Sequence, residues 1–223
     1  MTIADQLLKL AVQFLSHAQK EEEQIPDNSA SLGVVLRNLG KLQTFTARKK
    51  YAEENLERLS SGSSRLTYLT NAKTVIKLAS NEKGLAQNEA ETHPKAKSQH
   101  LNPVLQHDPK YAWIEVPFLN KLTEKKFQEI TGLDFEQFGE SLRYGLRDIS
   151  GNSDKDKPRK FAEIAKTPLY QEMVRVGKAC KLMPGDLARI SSWGEKEGKP
   201  VLIDAGLTSD VFELHYDNSS GSS

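Results

Sequence analysis

One segment constrains this chain more than any other: Val201-Leu202-Ile203-Asp204-Ala205-Gly206-Leu207, an apolar run that stops on an Asp-x-Gly turn. Consecutive apolar residues bounded by a turn signal read as a buried strand, and the glycine lets the backbone leave it sharply. The run therefore delivers the Asp204 carboxylate to a strand end. Pro184-Gly185-Asp186 supplies a second acidic turn 18 positions upstream (204 − 186). If the two turns face each other, their carboxylates can hold Mg²⁺ through hard oxygen ligands and position a phosphoryl acceptor.

Around this segment the hydrophobic period changes along the chain. Ile3, Leu7, Leu10, Ala11, Phe14 and Ala18 recur at helical spacing, which makes a helix for packing on its own domain or for docking a partner or a second copy. Residues 20–31 are polar, carry Pro26 and read as a linker. A second helix is expected from Ala30 to Arg58 with a break near Gly40, its Arg48-Lys49-Lys50 forming a solvated face. From Leu59 the alternation is that of strands. Arg65–Leu69, a turn at Asn71–Lys73 and Thr74–Ala79 predict a hairpin. Asn81–Glu91 reads as a helix, His93–Lys110 with its three prolines as an irregular connector, and Tyr111–Val116 as a strand that Pro117 stops. Helices are then expected over Thr123–Ile130, Asp134–Leu146 and Phe161–Leu182, the last interrupted at Pro168. Gly151–Arg159 reads as a charged loop. A short loop through Trp193-Gly194 leads to the strand Pro200–Asp204, and Asn218–Ser223 reads as a flexible tail. The fold class is α+β, a small strand-rich lobe ahead of a helical lobe. The segments are 1–58 (helical extension with linker), 59–118 (strand-rich lobe), 119–217 (helical lobe) and 218–223 (tail).

Four pieces can carry chemistry. Ser60–Ser64 with Gly62 makes a small-residue turn whose backbone N–H groups can approach phosphate oxygens; its plainer reading is a serine-rich hairpin turn. Lys77 lies inside an apolar strand and must either point to solvent or find a partner. Glu89, with Glu91 as the second choice, can be that partner from the following helix, or both can be ordinary surface residues. Asp186 and Asp204 close the set, with a turn cap as the plain alternative for Asp204.

The order of these parts resembles the protein-kinase-like superfamily. The residues that carry the likeness are SGSSRLTYLTNAKTVIKLA (61–79), NEKGLAQNEAE (81–91), WIEVPF (113–118), PGDLARISSWG (184–194) and KPVLIDAGLT (199–208). The likeness spans Leu59 to Thr208 and is closest to compact kinase-like proteins of tailed bacteriophages. It implies a minimal bilobal kinase-like fold that binds ATP and Mg²⁺. Lys77 then contacts the α- and β-phosphates and Glu89 holds Lys77. Gly62, Ser63 and Ser64 cover the phosphates, and Glu115 opens the hinge that meets adenine. Asp186 is the catalytic aspartate, Asp204 binds Mg²⁺, and Ser191 stands five positions after Asp186 (191 − 186) where the family places a metal-binding asparagine. Pro184-Gly185 replaces the basic residue that precedes the family's catalytic aspartate, and a single glycine remains in the phosphate loop. The implied function is a phosphotransferase. The other reading is a non-catalytic, pseudokinase-like scaffold or virion component that assembles through the N-terminal helix.

The bulk numbers exclude several other classes. Lys+Arg 31 against Asp+Glu 30 leave a net charge of +1, so no global field draws the chain to nucleic acid or to an anionic membrane. No run approaches the ~20 apolar residues of a membrane span. The single Cys180 rules out an internal disulfide, and the expected location is the cytoplasm, of the host or within the virion if a phage encodes the chain. His93, His100 and His107 recur every seven residues, but Pro94 and Pro103 break the helix that would align them as a metal site.

Overall fold

A computed structural model describes residues 31–70, 72–147 and 157–215. The expected helix over Ile3–Ala18, all of the linker but Ser31, most of the charged loop at 151–159 and the 218–223 tail lie outside the described residues.

Two helices open the described chain, α1 (Leu32–Lys41) and α2 (Phe45–Asn55). Val35, Leu36 and Leu39 form the buried stripe of α1, and Thr44 caps α2 by accepting from Ala47 N at 3.1 Å. The break expected near Gly40 falls at residues 42–44, and the second helix stops at Asn55, short of the expected Arg58. Arg48, expected on a solvated face, is buried and donates from Nε to the Leu42 carbonyl at 2.9 Å; Lys49 and Lys50 are exposed.

Strands β1 (Glu57–Ser61), β2 (Arg65–Leu69), β3 (Thr74–Ala79), β4 (Gln106–His107) and β5 (Trp113–Pro117) form an antiparallel sheet in the order β1-β2-β3-β5-β4. Period-2 alternation gives the sheet two faces of different chemistry. Leu66, Tyr68, Ile76, Leu78 and Trp113 pack with Val35, Leu36, Leu39 and Ala52 into one core. α1 and α2 share this core with the sheet and form its back layer. The opposite face carries Arg65, Thr67, Val75 and Lys77 on β2 and β3.

Helix α3 (Glu82–Thr92) follows β3, capped by Asn81, whose side chain accepts from Gly84 N at 3.1 Å. It approaches the sheet so closely that a Cβ at Gly84 would lie 2.2 Å from the Ser64 carbonyl oxygen and 3.0 Å from Ala79 Cα. A glycine there is what lets α3 seat against the β1–β2 turn.

The second half begins at β6 (Asn120–Lys121), which pairs with β7 (Trp193–Lys196); β7 in turn pairs with β8 (Lys199–Leu202). Between them run α4 (Glu124–Thr131), α5 (Phe135–Leu146), α6 (Phe161–Ile164), α7 (Pro168–Cys180) and the one-turn α8 (Pro184–Leu187). Thr123, Asp134 and Thr167 cap α4, α5 and α7. Phe127, Phe138, Leu142, Met173, Val176, Leu187 and Trp193 fill the core of this half. The segment through Trp193-Gly194, expected as loop, is a strand because Trp193 is fully buried and donates its indole N–H to the Leu187 carbonyl at 2.9 Å. A final helix, α9 (Ser209–His215), lies against α3. The architecture is α+β, an antiparallel sheet backed by helices and joined to a mainly helical half. No described helix is long and apolar enough to cross a membrane.

Replacement of Gly84 by alanine forces a Cβ into the Ser64 carbonyl and Ala79. The expected cost is ~1–3 kcal/mol for an overpacked site, which at ~2–4 °C per kcal/mol lowers the melting temperature by roughly 2–12 °C. Thermal unfolding of Gly84→Ala checks this, and an unchanged Tm would show that α3 is not seated so closely.

Candidate functional site

A cleft of about 630 Å³ separates the open face of the first sheet from the second half. Two backbone tethers bring its far wall together. The Met183 amide donates to the Leu207 carbonyl at 3.2 Å and Leu182 bridges Thr208, so the chain leaving Asp204 runs back against the chain entering Asp186. The Ile203 amide donates to Ser192 at 2.8 Å, which docks the 3₁₀ turn Ile190–Ser192 beside the same strand end. Asp186, Ser191 and Asp204 all line the cleft as a result.

Three buried charges, Lys77, Arg65 and Glu91, stand on the near wall and meet Asp204 from the far one. Lys77 Nζ donates to Glu91 Oε2 at 2.6 Å and to the Ile203 carbonyl at 2.7 Å. Arg65, from β2, donates through Nη1 to Glu91 Oε1 at 2.7 Å and to Asn88 Oδ1 at 3.3 Å, and through Nη2 to Asp204 Oδ1. The side chains of Lys77, Glu91 and Arg65 are 7, 5 and 8% exposed, whereas that of Asp204 is 57% exposed and faces the cleft. A Cβ at Gly206 would stand 2.9 Å from Glu91 Oε1 and 3.0 Å from Arg65 Nη1. The glycine of the Asp-x-Gly turn is thus what allows the Arg65–Glu91 pair to close beneath it.

The two aspartates are driven apart electrostatically. Protein packed around Asp204 opposes its ionisation, but the Arg65 guanidinium and the Lys77 ammonium overcome this and hold the carboxyl well below the usual range. Water reaches that carboxylate only through the cleft, so it is both accessible and walled by protein. For Asp186, burial first and the Asp204 charge second push the carboxyl up, against the opposing pull of Arg189, whose guanidinium lies 3.5 Å away, and of Arg65. Neighbouring carboxyls set apart in this way are suited to different tasks, one held ionised and the other able to exchange a proton.

The sequence-predicted residues fall into three groups. Gly62, Ser63, Ser64, Lys77, Asp186, Ser191 and Asp204 all line this one cleft. Ser64 does so with its hydroxyl already committed, since it is buried and donates to Gln87 Oε1 at 3.1 Å, while the Ser63 carbonyl accepts from Asn81. Glu89 is a correction: it is exposed and turned away, and Glu91 is the partner of Lys77. The buried face of α3 is Gly84, Gln87, Asn88 and Glu91, at helical spacing, and Glu89 lies off it. Glu115 opens the expected hinge but does not itself line the cleft, whereas Val116, Pro117 and Phe118 after it do. Glu115 pairs with Ile76 on the sheet's back face, whereas Val116 pairs with Val75 and Ile114 with Lys77 on the cleft face. Its carboxylate accepts from Thr74 Oγ1 and Gln106 Nε2, both at 2.5 Å, and its carbonyl accepts from the Leu105 amide at 2.8 Å, so it presents nothing to the cleft.

Arg65 was missed in the sequence reading. A basic residue at the start of a strand looks like a solvated edge, and its partner Asp204 stands 139 positions away. The one signal available was that Arg65 shares strand parity with Thr67 and, across the hairpin, with Lys77.

Hard oxygen donors at Asp204 and Ser191 suit Mg²⁺, which is commonly held by one or two carboxylates plus substrate phosphates. Among the described residues there is no cluster of three or more His, Cys, Asp or Glu side chains. The donor set therefore fits an ion that arrives with a phosphate ligand, not one caged by protein alone.

No protein-family model matches the chain, and no curated protein does. Among solved structures, a choline/ethanolamine kinase family protein from Mesorhizobium loti aligns at 14% identity and a TM-score of 0.35, over 68% of this chain. The aligned part spans 58% of the length of that protein. A likeness at this level fixes neither fold nor chemistry, and the functional reading rests on the cleft.

Removing Glu91 strands two buried cations. Glu91→Ala is expected to cost ~3–5 kcal/mol, as for other broken buried ion pairs, while Glu89→Ala leaves stability unchanged within error. Urea unfolding of both variants tests the assignment, and equal effects would refute it.

Proposed function

We infer that this chain binds ATP with Mg²⁺ in the cleft, in a bilobal protein-kinase-like arrangement, and transfers a phosphoryl group to an acceptor hydroxyl. One observation carries the reading: a lysine held by a helix glutamate and two aspartates with divergent proton affinities share a single cleft beneath a serine-rich hairpin. A structural ion-pair network accounts for Lys77, Glu91, Arg65 and Asp204; it has no use for a second carboxyl of raised proton affinity, Asp186, in the same cleft.

In this reading Lys77, fixed by Glu91, binds the α- and β-phosphates, and the Gly62–Ser63 backbone covers them. Val75, Val116, Phe118, Ile203 and Leu207 offer apolar surface to the base. With the Glu115 carbonyl and the Phe118 amide already hydrogen bonded, recognition of the base rests on packing more than on its edge. Asp204 and Ser191 would hold Mg²⁺, which when bound offsets phosphate charge. Asp186 accepts the acceptor hydroxyl's proton as the new O–P bond forms and the bond to the β-phosphate breaks, releasing ADP. The competing reading is a non-catalytic, pseudokinase-like scaffold of the kind a phage particle uses. It is favoured by the Arg65 contact on Asp204, which occupies a metal ligand, and by the hydroxyl of Ser191 where an amide would reach further.

Thermal unfolding with ATP and Mg²⁺ separates binding from no binding. A ligand at 100 times its Kd adds ~2.7 kcal/mol, a rise of roughly 5–10 °C for a chain of this size. The rise is expected in wild type and absent in Asp204→Asn. No rise in wild type at millimolar ATP would sink both nucleotide binding and transfer. Asp186→Ala is expected to keep the rise and lose ~10²–10⁴-fold in ATP turnover; retained turnover would remove Asp186 from the chemistry.

The pH dependence follows from the raised proton affinity of Asp186. The acid limb of turnover is expected above the ordinary aspartate value of ~3.9. Arg189 favours the ionised form, so Arg189→Gln moves the limb to higher pH. A pH–rate profile of the two proteins decides this, a shift to lower pH being the contrary result.

A further inference from the structure

The charges of the cleft satisfy one another without any ligand. Arg65 spans Glu91 and Asp204, Lys77 spans Glu91 and the Ile203 carbonyl, and the two cations balance the two carboxylates. Both oxygens of Glu91 are engaged, one by each cation. A metal arriving at Asp204 disturbs this set, and its contacts are not equally placed to open. Glu91 is buried at 5% and lies under Gly206, whereas Asp204 is 57% exposed to the cleft. The weak seam is therefore Arg65 Nη2–Asp204.

A divalent cation on Asp204 competes directly with the guanidinium, because both seek the same carboxylate and repel each other at that distance. Once displaced, Nη2 becomes a buried donor without an acceptor, which is costly unless an oxygen replaces Asp204. Arg65 remains tied to Glu91 and Asn88 through Nη1, so it cannot swing out to water. The acceptor has to come from within the cleft, and a guanidinium fork matches a phosphate oxygen well.

Building on the nucleotide reading above, we propose that Arg65 is an internal cation that occupies the Asp204 metal position in the empty protein, yields it to a divalent cation, and then binds the incoming phosphate through the freed Nη2. Metal and nucleotide then favour each other's binding through this one side chain, and neither is held well alone.

Mn²⁺ serves as the probe, titrated by electron paramagnetic resonance into full-length protein without nucleotide. Arg65→Gln removes the competitor, so Mn²⁺ is expected to bind at least 10-fold more tightly than to wild type. The same variant is expected to bind a non-hydrolysable ATP analogue at least 10-fold more weakly and to lose the mutual enhancement of metal and nucleotide. Unchanged or weaker Mn²⁺ binding in Arg65→Gln, or no binding to either protein at millimolar Mn²⁺, overturns the proposal. A second measurement needs no substitution at this buried position. The guanidinium ¹⁵N–¹H signals of Arg65 in wild type are expected to shift when Mg²⁺ and the analogue are added together. Binding of the analogue with those signals unmoved overturns the role of Arg65 while leaving nucleotide binding standing. Failure of the analogue to bind at all overturns nucleotide binding, and the Mn²⁺ titration still decides the competition for Asp204.

Discussion

Glu91 is the residue on which the rest of the cleft depends. Its two oxygens are taken by cations from two adjacent strands, Arg65 on β2 and Lys77 on β3. Through it the sheet, α3 and the Asp204 turn become one object. The arrangement is stable only as a set, because each buried charge is desolvated and relies on the others. Taking away the carboxylate leaves two like charges close together in a region that water scarcely reaches. The same dependence explains the close packing nearby: Gly84 admits α3 to the sheet, and Gly206 admits the Asp204 turn to Glu91. Larger residues at either point would separate the elements that supply the charges.

Much of the fold was legible because local chemistry and tertiary packing agree. Arg65–Leu69 and Thr74–Ala79 alternate as strands should, and they pair as the expected hairpin. The helices expected from Thr123 and Asp134 start at those residues, whose side chains cap them. Where the reading failed, a long-range contact overrode a local signal. Trp193-Gly194 looks like loop until Trp193 finds the Leu187 carbonyl, and Arg48 looks like surface until it turns under the chain to Leu42. The apolar stripe of α1 likewise shows that a partner exists but does not say that the partner is the back of the sheet.

The site divides in the same way. Lys77, Asp186 and Asp204 could be singled out because each breaks a pattern, a charge inside an apolar strand or a carboxylate on a tight turn. Glu89 and Glu91 break none, since both sit in a polar helix with little apolar asymmetry. What distinguishes them is that Glu91 shares a face with Gly84, Gln87 and Asn88. A polar face that is buried gives no hydrophobic stripe to read, and so the wrong glutamate was preferred. The Glu115 side chain lies off the cleft because its parity with Ile76 sends it to the other face of the sheet. Arg65 had no local signature at all, as everything that makes it notable lies in partners 26 and 139 positions away.

The internal neutrality of the cleft bears on how it would meet a metal. A site of several unpaired carboxylates repels itself when empty and depends on a resident ion to fold. Here Arg65 does for Asp204 what such an ion would do, and the structure closes without one. The cost falls on metal affinity, because an entering cation must displace a guanidinium that is already in contact. That cost is offset only by a ligand that brings its own negative charge, since the phosphate then satisfies both the metal and the freed arginine. On the function proposed above, a cleft built in this way would favour a metal–phosphate complex over either component. The scarcity of carboxylates around Asp204, which in a resident metal centre would count against binding, becomes the condition for that selectivity.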